Sequence, residues 1–286
     1  MPKHEKIPIV DIGIPTGKNQ LPQFWISLWG LQYGGGAFLA GGGAMTDTNR
    51  NNIVHKFMYE RKGESEWLLF VDDDIELPTD ALVRLLKHDK PFVTGVYYRR
   101  SPPCDPLIYR QTEEGWYMPL LPDDDYKTGD LVEVDGCGLG CALIHRSVFD
   151  AILETHFLYR RHNRSYGFMH YEDVNMDAIT DIPQDGLHIV NGTGIKVETV
   201  SAMKPEQLGP KERLPFFAFE YGRTEDFHFC ELVKKAGVEI WADTGLEVNH
   251  WGNAPFSRIQ FDQIQDFMKE EDVINVDGIP VKEIKL

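Results

Sequence analysis

Asp72, Asp73 and Asp74 follow the apolar run Trp67-Leu68-Leu69-Phe70-Val71 with no spacer. Carboxylates at the point where a buried strand reaches the surface of an α/β sheet can hold a divalent cation against a phosphorylated substrate. Along an extended chain side-chain direction repeats every second residue, so Asp72 and Asp74 are expected on one side and Asp73 on the other. The same residues also fit an acidic strand end that turns into solvent. A second triplet, Asp123-Asp124-Asp125, follows Pro122 with no buried strand ahead of it and reads as a solvated loop.

Other chemically able groups lie far along the chain. Thr224 is a helix-capping residue type, which places Glu225 and Asp226 in the first turn of a helix whose inward face is Phe229, Leu232, Val233 and Ala236. Lys234 and Lys235 sit at its other end, before Gly237, so helix-dipole complementarity accounts for the two acids without any catalysis. His250 follows the strand-like Val238 to Trp241 and, taken alone, reads as a structural histidine.

The elements that must position these groups alternate early. Ile7 to Ile14 reads as a buried strand, turned by Pro15-Thr16-Gly17, and ligands favour such carboxyl ends of strands in open α/β sheets. Ile53, Val54, Phe57 and Met58 mark a helix that starts at Asp47 or Thr48 and stops before Gly63. After the aspartate strand, Leu82, Leu85 and Leu86 have helical spacing, and Phe92 to Val96 is a short strand. This alternation predicts an α/β fold with a mainly parallel central sheet and helices on both faces.

Residues 99–130 read as an irregular excursion with a hairpin around Leu107 to Met118. Val132 to Val134 and Leu139 to Ile144 return to strand character around Gly136-Cys137-Gly138, and residues 147–159 read as a helix. The polar stretch from about 161 to 214 suits an insertion or specificity region. Gly34 to Gly36 and Gly41 to Gly43 read as a mobile loop near the site.

Composition narrows the function classes. The 286 residues, 42% hydrophobic and 26% charged, describe an ordinary globular protein. A formal charge of 29 minus 45, or −16, disfavours broad attachment to nucleic acid or anionic membrane. Cys104, Cys137, Cys141 and Cys230 form neither a zinc pattern nor a disulfide framework. Gly13 to Lys18 is one residue short of a Walker loop and continues with Asn19, and the glycine triplets do not make Gly-x-Gly-x-x-Gly. No apolar run approaches the roughly 20 residues that cross a bilayer, and the first residues lack the apolar segment of a secretion signal. A cytoplasmic protein without a transmembrane segment is the expectation.

Five separated pieces together resemble the GT-A glycosyltransferase fold, especially family-2-like enzymes and related prophage or phage glycosyltransferases. They are Ile12-Gly13-Ile14-Pro15-Thr16-Gly17, Asn49-Arg50-Asn51, the run WLLFVDDDIEL from Trp67 to Leu77, GCGLGCALIHRSVF from Gly136 to Phe149, and Glu225-Asp226 with Phe229-Cys230. The matching order spans roughly residues 7–100 and 131–252. It departs from the family pattern around 154–212, in the glycine-rich 34–43, and in the Gly17-Lys18 ending of the opening turn.

The resemblance implies one GT-A domain over residues 1–286. Residues 1–130 would be the nucleotide-sugar-binding half, 131–260 the acceptor-side half with an insertion at about 154–212, and 261–286 a C-terminal extension. It implies that Pro15, Thr16, Gly17, Arg50, Asp72 and Asp73 border the nucleotide sugar. Asp72 would contact the ribose or assist the metal site, and Asp74 would coordinate Mn²⁺ or Mg²⁺ on the donor diphosphate. His250 would be the late histidine ligand, and oxygen donors plus one imidazole suit Mn²⁺ slightly better than Mg²⁺. Asp226 is the candidate base and Glu225 the second choice. The guanidinium fork of Arg50 would hold the diphosphate or organise Asp72, unless it forms a surface salt bridge. Asp11 would position the nucleoside or make a structural hydrogen bond, and Arg99 and Arg100 would form a donor wall or a polar rim.

The implied activity is metal-dependent transfer of a hexose from a nucleotide sugar, UDP-linked by preference, to a hydroxyl with inversion. Glycan and modified nucleic acid are the acceptors to weigh. A nucleotidyltransferase acting on a sugar phosphate is the first alternative, because paired carboxylates and a cation also suit attack at phosphorus. A non-catalytic carbohydrate-binding protein is the second; it would use Trp25, Trp29 or Trp116, although core packing is the expected use of at least two of these rings.

Overall fold

In the computed structural model, Leu68 and Phe70 point into one apolar core and Leu69 and Val71 into another, because a strand sends successive side chains to opposite faces. A strand buried on both faces needs helices on both sides. The structure describes residues 7–17, 20–43, 45–160, 166–170, 187–190, 196–200, 213–219, 223–252, 255–268, 273–276 and 279–282.

In chain order the elements begin with β1 (Val10–Thr16), α1 (Pro22–Gly30), β2 (Phe38–Gly42) and α2 (Thr46–His55), which a π-helical turn at Lys56–Glu60 extends. Next come β3 (Trp67–Val71), β4 (Ile75–Glu76), α3 (Ala81–Lys87), β5 (Phe92–Val96), β6 (Ile108–Gln111), β7 (Tyr117–Pro119), β8 (Leu131–Val134), β9 (Gly136–Cys137), β10 (Cys141–His145) and α4 (Arg146–Thr155). They are followed by β11 (His156–Arg160), β12 (Tyr166–His170), β13 (Leu187–Val190), β14 (Lys196–Val200) and α5 (Glu225–Lys235). The last are β15 (Ile240–Glu247), β16 (Asn249–Trp251), β17 (Pro255–Phe256), α6 (Arg258–Met268), β18 (Val273–Val276) and β19 (Ile279–Lys282).

The central sheet has seven strands in the order β2-β1-β3-β10-β5-β15-β8. Strands β10 and β8 run against the other five, so the sheet is mixed but mostly parallel in direction. Phe24 and Leu28 of α1 and Leu82 and Leu85 of α3 cover one face with Leu69 and Val71. Ile53 and Val54 of α2, Phe149 and Ile152 of α4, and Phe229 and Val233 of α5 cover the other with Leu68 and Phe70. The expected α/β architecture with helices on both faces is therefore present.

Local differences have local causes. The first strand starts at Val10 and runs through Pro15, which is tolerated because pairing with β3 ends at Gly13 and leaves the missing N–H on an unpaired side. Gly41 and Gly42 belong to β2 rather than to a mobile loop. A Cβ on Gly41 would lie 2.6 Å from the Asn49 carbonyl oxygen, so this glycine serves close approach of α2. The helix expected over 147–159 stops at Thr155, because His156–Arg160 pairs as a strand with Tyr166–His170. The strand expected at Val238 to Trp241 begins at Ile240 and continues to Glu247. The second aspartate triplet is the exposed loop expected, anchored at two points: Asp123 pairs with Arg258 of α6 at 2.7 Å, and Asp125 accepts the Leu121 N–H at 2.7 Å.

All four cysteines are free and buried. Among the described residues no helix is long and apolar enough to cross a membrane. Most of the insertion read between 154 and 212 lies outside the described residues, as do Lys18 and Asn19.

Candidate functional site

The chain does not stay extended through the aspartates. The Ile75 N–H bonds back to the Asp72 carbonyl at 3.0 Å, closing a tight turn, and Asp72 N–H donates to the Gly140 carbonyl at 3.2 Å. Simple alternation of Asp72 and Asp74 therefore fails at this point, and each carboxylate meets its own partner. Asp73 Oδ2 accepts the Gly17 N–H at 2.6 Å, which joins the end of β3 to the Pro15-Thr16-Gly17 turn at the end of β1. The Thr16 hydroxyl donates to the Gly41 carbonyl at 2.9 Å and so ties that turn to β2.

Asp72 accepts from Arg50 Nη2 at 3.0 and 3.2 Å. Arg50 projects from α2 and is only 1% exposed, so the surface salt bridge weighed from the sequence is replaced by a buried charge. Burial works against its charged form, but Asp72, Asp226 and Glu225 outweigh that and hold it protonated. Its Nη2 is 3.5 Å from Asp226 Oδ1, its Nε is 3.9 Å from Glu225 Oε1, and its guanidinium carbon is 5.3 Å from the Phe70 ring centroid. Three carboxylates from two distant segments thus gather on one cation.

Thr224 occupies the N-cap position of α5 but makes no side-chain capping bond. Glu225 and Asp226 in the first turn point to Arg50 instead. Burial raises the proton affinity of both acids, with Asp72 and their mutual repulsion adding for Asp226, which is pushed up to about 7. Burial also raises Asp72. Asp226 exposes 21% of its side chain, and its Oδ2 accepts the Leu139 N–H at 3.4 Å. Asp226 Oδ1 and Arg50 Nε and Nη1 are buried and make no hydrogen bond among the described residues. Such unsatisfied atoms, clustered at one place, suit a polar ligand.

Tyr97, at the end of β5, completes the wall. Its hydroxyl accepts the Gly140 N–H at 2.9 Å, and burial together with Asp72 and Asp226 keeps the phenol protonated. A Cβ on Gly138 would sit well inside van der Waals contact with that hydroxyl, and one on Gly136 would press on Tyr117 and Phe227, which stack at 4.2 Å. The spaced glycines 136, 138 and 140 therefore make room for rings beside the acids. Gly138→Ala is expected to destabilise the fold by about 1–3 kcal/mol through overpacking. Urea unfolding of Gly138→Ala and of Gly138→Ala/Tyr97→Phe checks this, with partial recovery in the double variant.

His250 reaches the aspartates through a small sheet, β17-β16-β4, in which His250 pairs with Ile75 and Asn249 with Glu76. Trp251 N–H donates to the Asp74 carbonyl at 2.8 Å. Glu76 Oε2 accepts from Trp251 Nε1 at 2.8 Å and Asn249 Nδ2 at 3.1 Å, which fixes β16 against the turn. His250 Nδ1 lies 2.8 Å from the Tyr98 carbonyl, a contact that requires a proton on Nδ1. Nε2 then faces Asp74 Oδ2 at 3.5 Å, donating to it when the ring is charged and presenting a lone pair beside it, free for a shared cation, when the ring is neutral. Burial would raise Asp74, but His250 and Arg100 outweigh it and keep this carboxylate ionised.

This pair bears on the implied metal. Neighbouring donors on one ion held at about 2.1 Å stand roughly 3.0–3.5 Å apart, and an Nδ1–H anchored on a carbonyl orients Nε2 as a ligand. Among the described residues no three His, Cys, Asp or Glu side chains form a metal-holding group. Two protein donors suffice for Mg²⁺ or a similar ion that takes its other ligands from water and substrate phosphates. The Asp74–His250 pair fits that use. Both Asp72 oxygens face Arg50, which puts Asp72 beside the pair rather than in it.

The remaining candidates separate clearly. Asp11 is structural: it accepts from Arg61 Nε at 2.7 Å and from Ala37 N–H at 2.8 Å. Trp25 packs against the core, whereas Trp29 and Trp116 are 80% and 72% exposed, contrary to the core use expected for at least two of the three. Tyr97, Glu76 and the Arg100–Asp74 contact escaped the sequence reading. Their only signal is position at strand ends, since all their partners are remote in sequence.

No family model matches the chain, and no curated protein matches it. Among solved structures it is similar to A197 from STIV, with 15% identity over 85% of this chain and 86% of that one and a TM-score of 0.41. It is also similar to 4-diphosphocytidyl-2C-methyl-D-erythritol synthase from Anaerococcus prevotii DSM 20548, with 10% identity over 52% of this chain and 76% of that one and a TM-score of 0.31.

Proposed function

We propose that the protein is a metal-dependent glycosyltransferase that moves a hexose from a nucleotide sugar, UDP-linked by preference, to an acceptor hydroxyl with inversion. The observation that carries this reading is the convergence of Asp72, Glu225 and Asp226 on Arg50 beside the Asp74–His250 pair, at the carboxyl end of β3. Asp226 is the base. A carboxylate raised to about 7 is largely ionised just above neutrality yet holds a proton well enough to draw one from an attacking hydroxyl.

As the acceptor oxygen bonds to the sugar carbon, its proton passes to Asp226, and the bond from that carbon to the diphosphate breaks with its electron pair leaving on the diphosphate. Attack opposite the leaving group inverts the carbon. Arg50 keeps Asp72, Glu225 and Asp226 together and limits their mutual repulsion. Gly17 and Asp73 hold the two strand ends that would border the nucleoside. A bound Mn²⁺ or Mg²⁺ would supply charge neutralisation for the departing diphosphate, with Asp74 and His250 as its protein ligands.

Asp74→Asn is expected to weaken Mn²⁺-dependent transfer by about 10- to 100-fold, the effect of losing roughly 1.5–3 kcal/mol in a charged contact. His250→Ala should raise the Mn²⁺ concentration giving half-maximal activity in the same direction. Activity titrated with Mn²⁺ at saturating donor tests both, and an unchanged metal requirement in the two folded variants contradicts the ligand assignment.

A further inference from the structure

We propose that Arg100 is an internal counter-cation that occupies Asp74 in the free protein and gives it up when a divalent cation and nucleotide bind. This rests on the metal-dependent reading of Asp74 and His250. Each end of the aspartate triplet meets an arginine. Arg50 holds Asp72 from within the core at 1% exposure, while Arg100 holds Asp74 Oδ2 at 2.7 Å with 47% of its side chain in solvent.

The same oxygen, Asp74 Oδ2, also faces His250 Nε2 at 3.5 Å, so Arg100 and a cation shared by Asp74 and His250 compete for one atom. Arg50 cannot leave without stranding a buried charge. Arg100 can, because solvent already reaches it and an exposed pair is weak. Its second contact, Nη1 to the Trp251 carbonyl at 3.1 Å, keeps it at the rim of the site. Once off Asp74, the planar guanidinium is suited to a diphosphate, which it can grip through two parallel N–H bonds. Arg100 would therefore weaken metal binding in the absence of nucleotide and strengthen nucleotide binding in its presence. The two effects make metal and nucleotide mutually reinforcing ligands.

The test is calorimetric titration of the full chain with Mn²⁺ alone, with Mn²⁺ at saturating UDP, and with UDP at saturating Mn²⁺. Wild type, Arg100→Met and Asp74→Asn are compared, with Arg100→Gln as a second variant that retains a donor toward Trp251. Arg100→Met should bind Mn²⁺ alone about fivefold more tightly than wild type and UDP about tenfold more weakly. Asp74→Asn should bind Mn²⁺ weakly in both conditions. If Asp74→Asn loses Mn²⁺ while both folded Arg100 variants match wild type or bind it more weakly, the counter-cation role is overturned and the metal reading survives. If wild type and Asp74→Asn bind Mn²⁺ equally, or neither binds with or without UDP, the metal reading fails and Arg100's role fails with it.

Discussion

Replacing Asp226 with asparagine is expected to lower turnover by about 10²- to 10⁴-fold with little change in donor affinity, the usual range for loss of a general base. The wild-type rate should rise with pH on an acid limb with a midpoint close to 7, where Asp226 ionises. Stability should move the opposite way. Asp226 is raised from 3.8 to about 7 on folding, so between those values the folded state holds a proton that the unfolded state has released. Folding stability therefore falls as pH rises through that window and levels off above it.

Asparagine carries no such charge, so the stability of Asp226→Asn relative to wild type should increase from pH 4 to pH 7. A residue serving only as a first-turn partner of the helix dipole predicts the reverse, a variant weakened at pH 7 and active. Glu225→Gln is the paired control. Should it alone abolish turnover while Asp226→Asn loses less than about threefold, the base moves by one residue.

Arg50→Met carries the largest expected effect on stability. Removing one partner of a buried ion cluster typically costs about 3–5 kcal/mol, since the remaining charges lose their compensation. Here Asp72, Glu225 and Asp226 would repel one another around an apolar side chain. The side chains of Asp72 and Asp226 are 25% and 21% exposed, which places the expected loss near the lower bound, about 3 kcal/mol at pH 8. The loss should shrink toward pH 5 as these acids take up protons. Urea unfolding at the two pH values measures it. Adding Asp226→Asn to Arg50→Met should recover part of the loss at pH 8, because residues in one charge network are not additive. A loss below about 0.5 kcal/mol at pH 8 would mean that the cluster is not held by this guanidinium.

Apolar patterning alone fixes the geometry of the central strands and the helix beside them. Trp67 to Val71 and Phe92 to Val96 are the strands expected, and the face built from Ile53, Val54 and Phe57 packs on the sheet as its spacing requires. The acidic groups were also legible as residue types, since Asp72 to Asp74 and Glu225-Asp226 sit at the end of one element and the start of another. What the sequence did not carry is pairing across long separations. Arg50 is an arginine in a helix of modest amphipathicity, and nothing local marks it as buried beneath three acids. The turn at Asp72–Ile75 broke the strand alternation, because its backbone bonds to Gly140 and closes on itself. The Gly41-Gly42 strand was missed for a related reason: glycine signalled freedom, while the structure uses it to bring α2 close. Arg100 and Glu76 find their partners through β16, which arrives from far along the chain.

Sugar transfer from a nucleotide donor is read from its products. Purified protein with Mn²⁺ is incubated with a panel of UDP-, GDP- and TDP-linked hexoses and with glycan and modified-DNA acceptors, and released nucleotide is identified by mass spectrometry. Nucleoside diphosphate is expected from at least one sugar donor, lost on chelation and in Asp74→Asn and Asp226→Asn. Pyrophosphate released from a nucleoside triphosphate and a sugar phosphate, with no diphosphate from any nucleotide sugar, would contradict it and assign the carboxylates to attack at phosphorus.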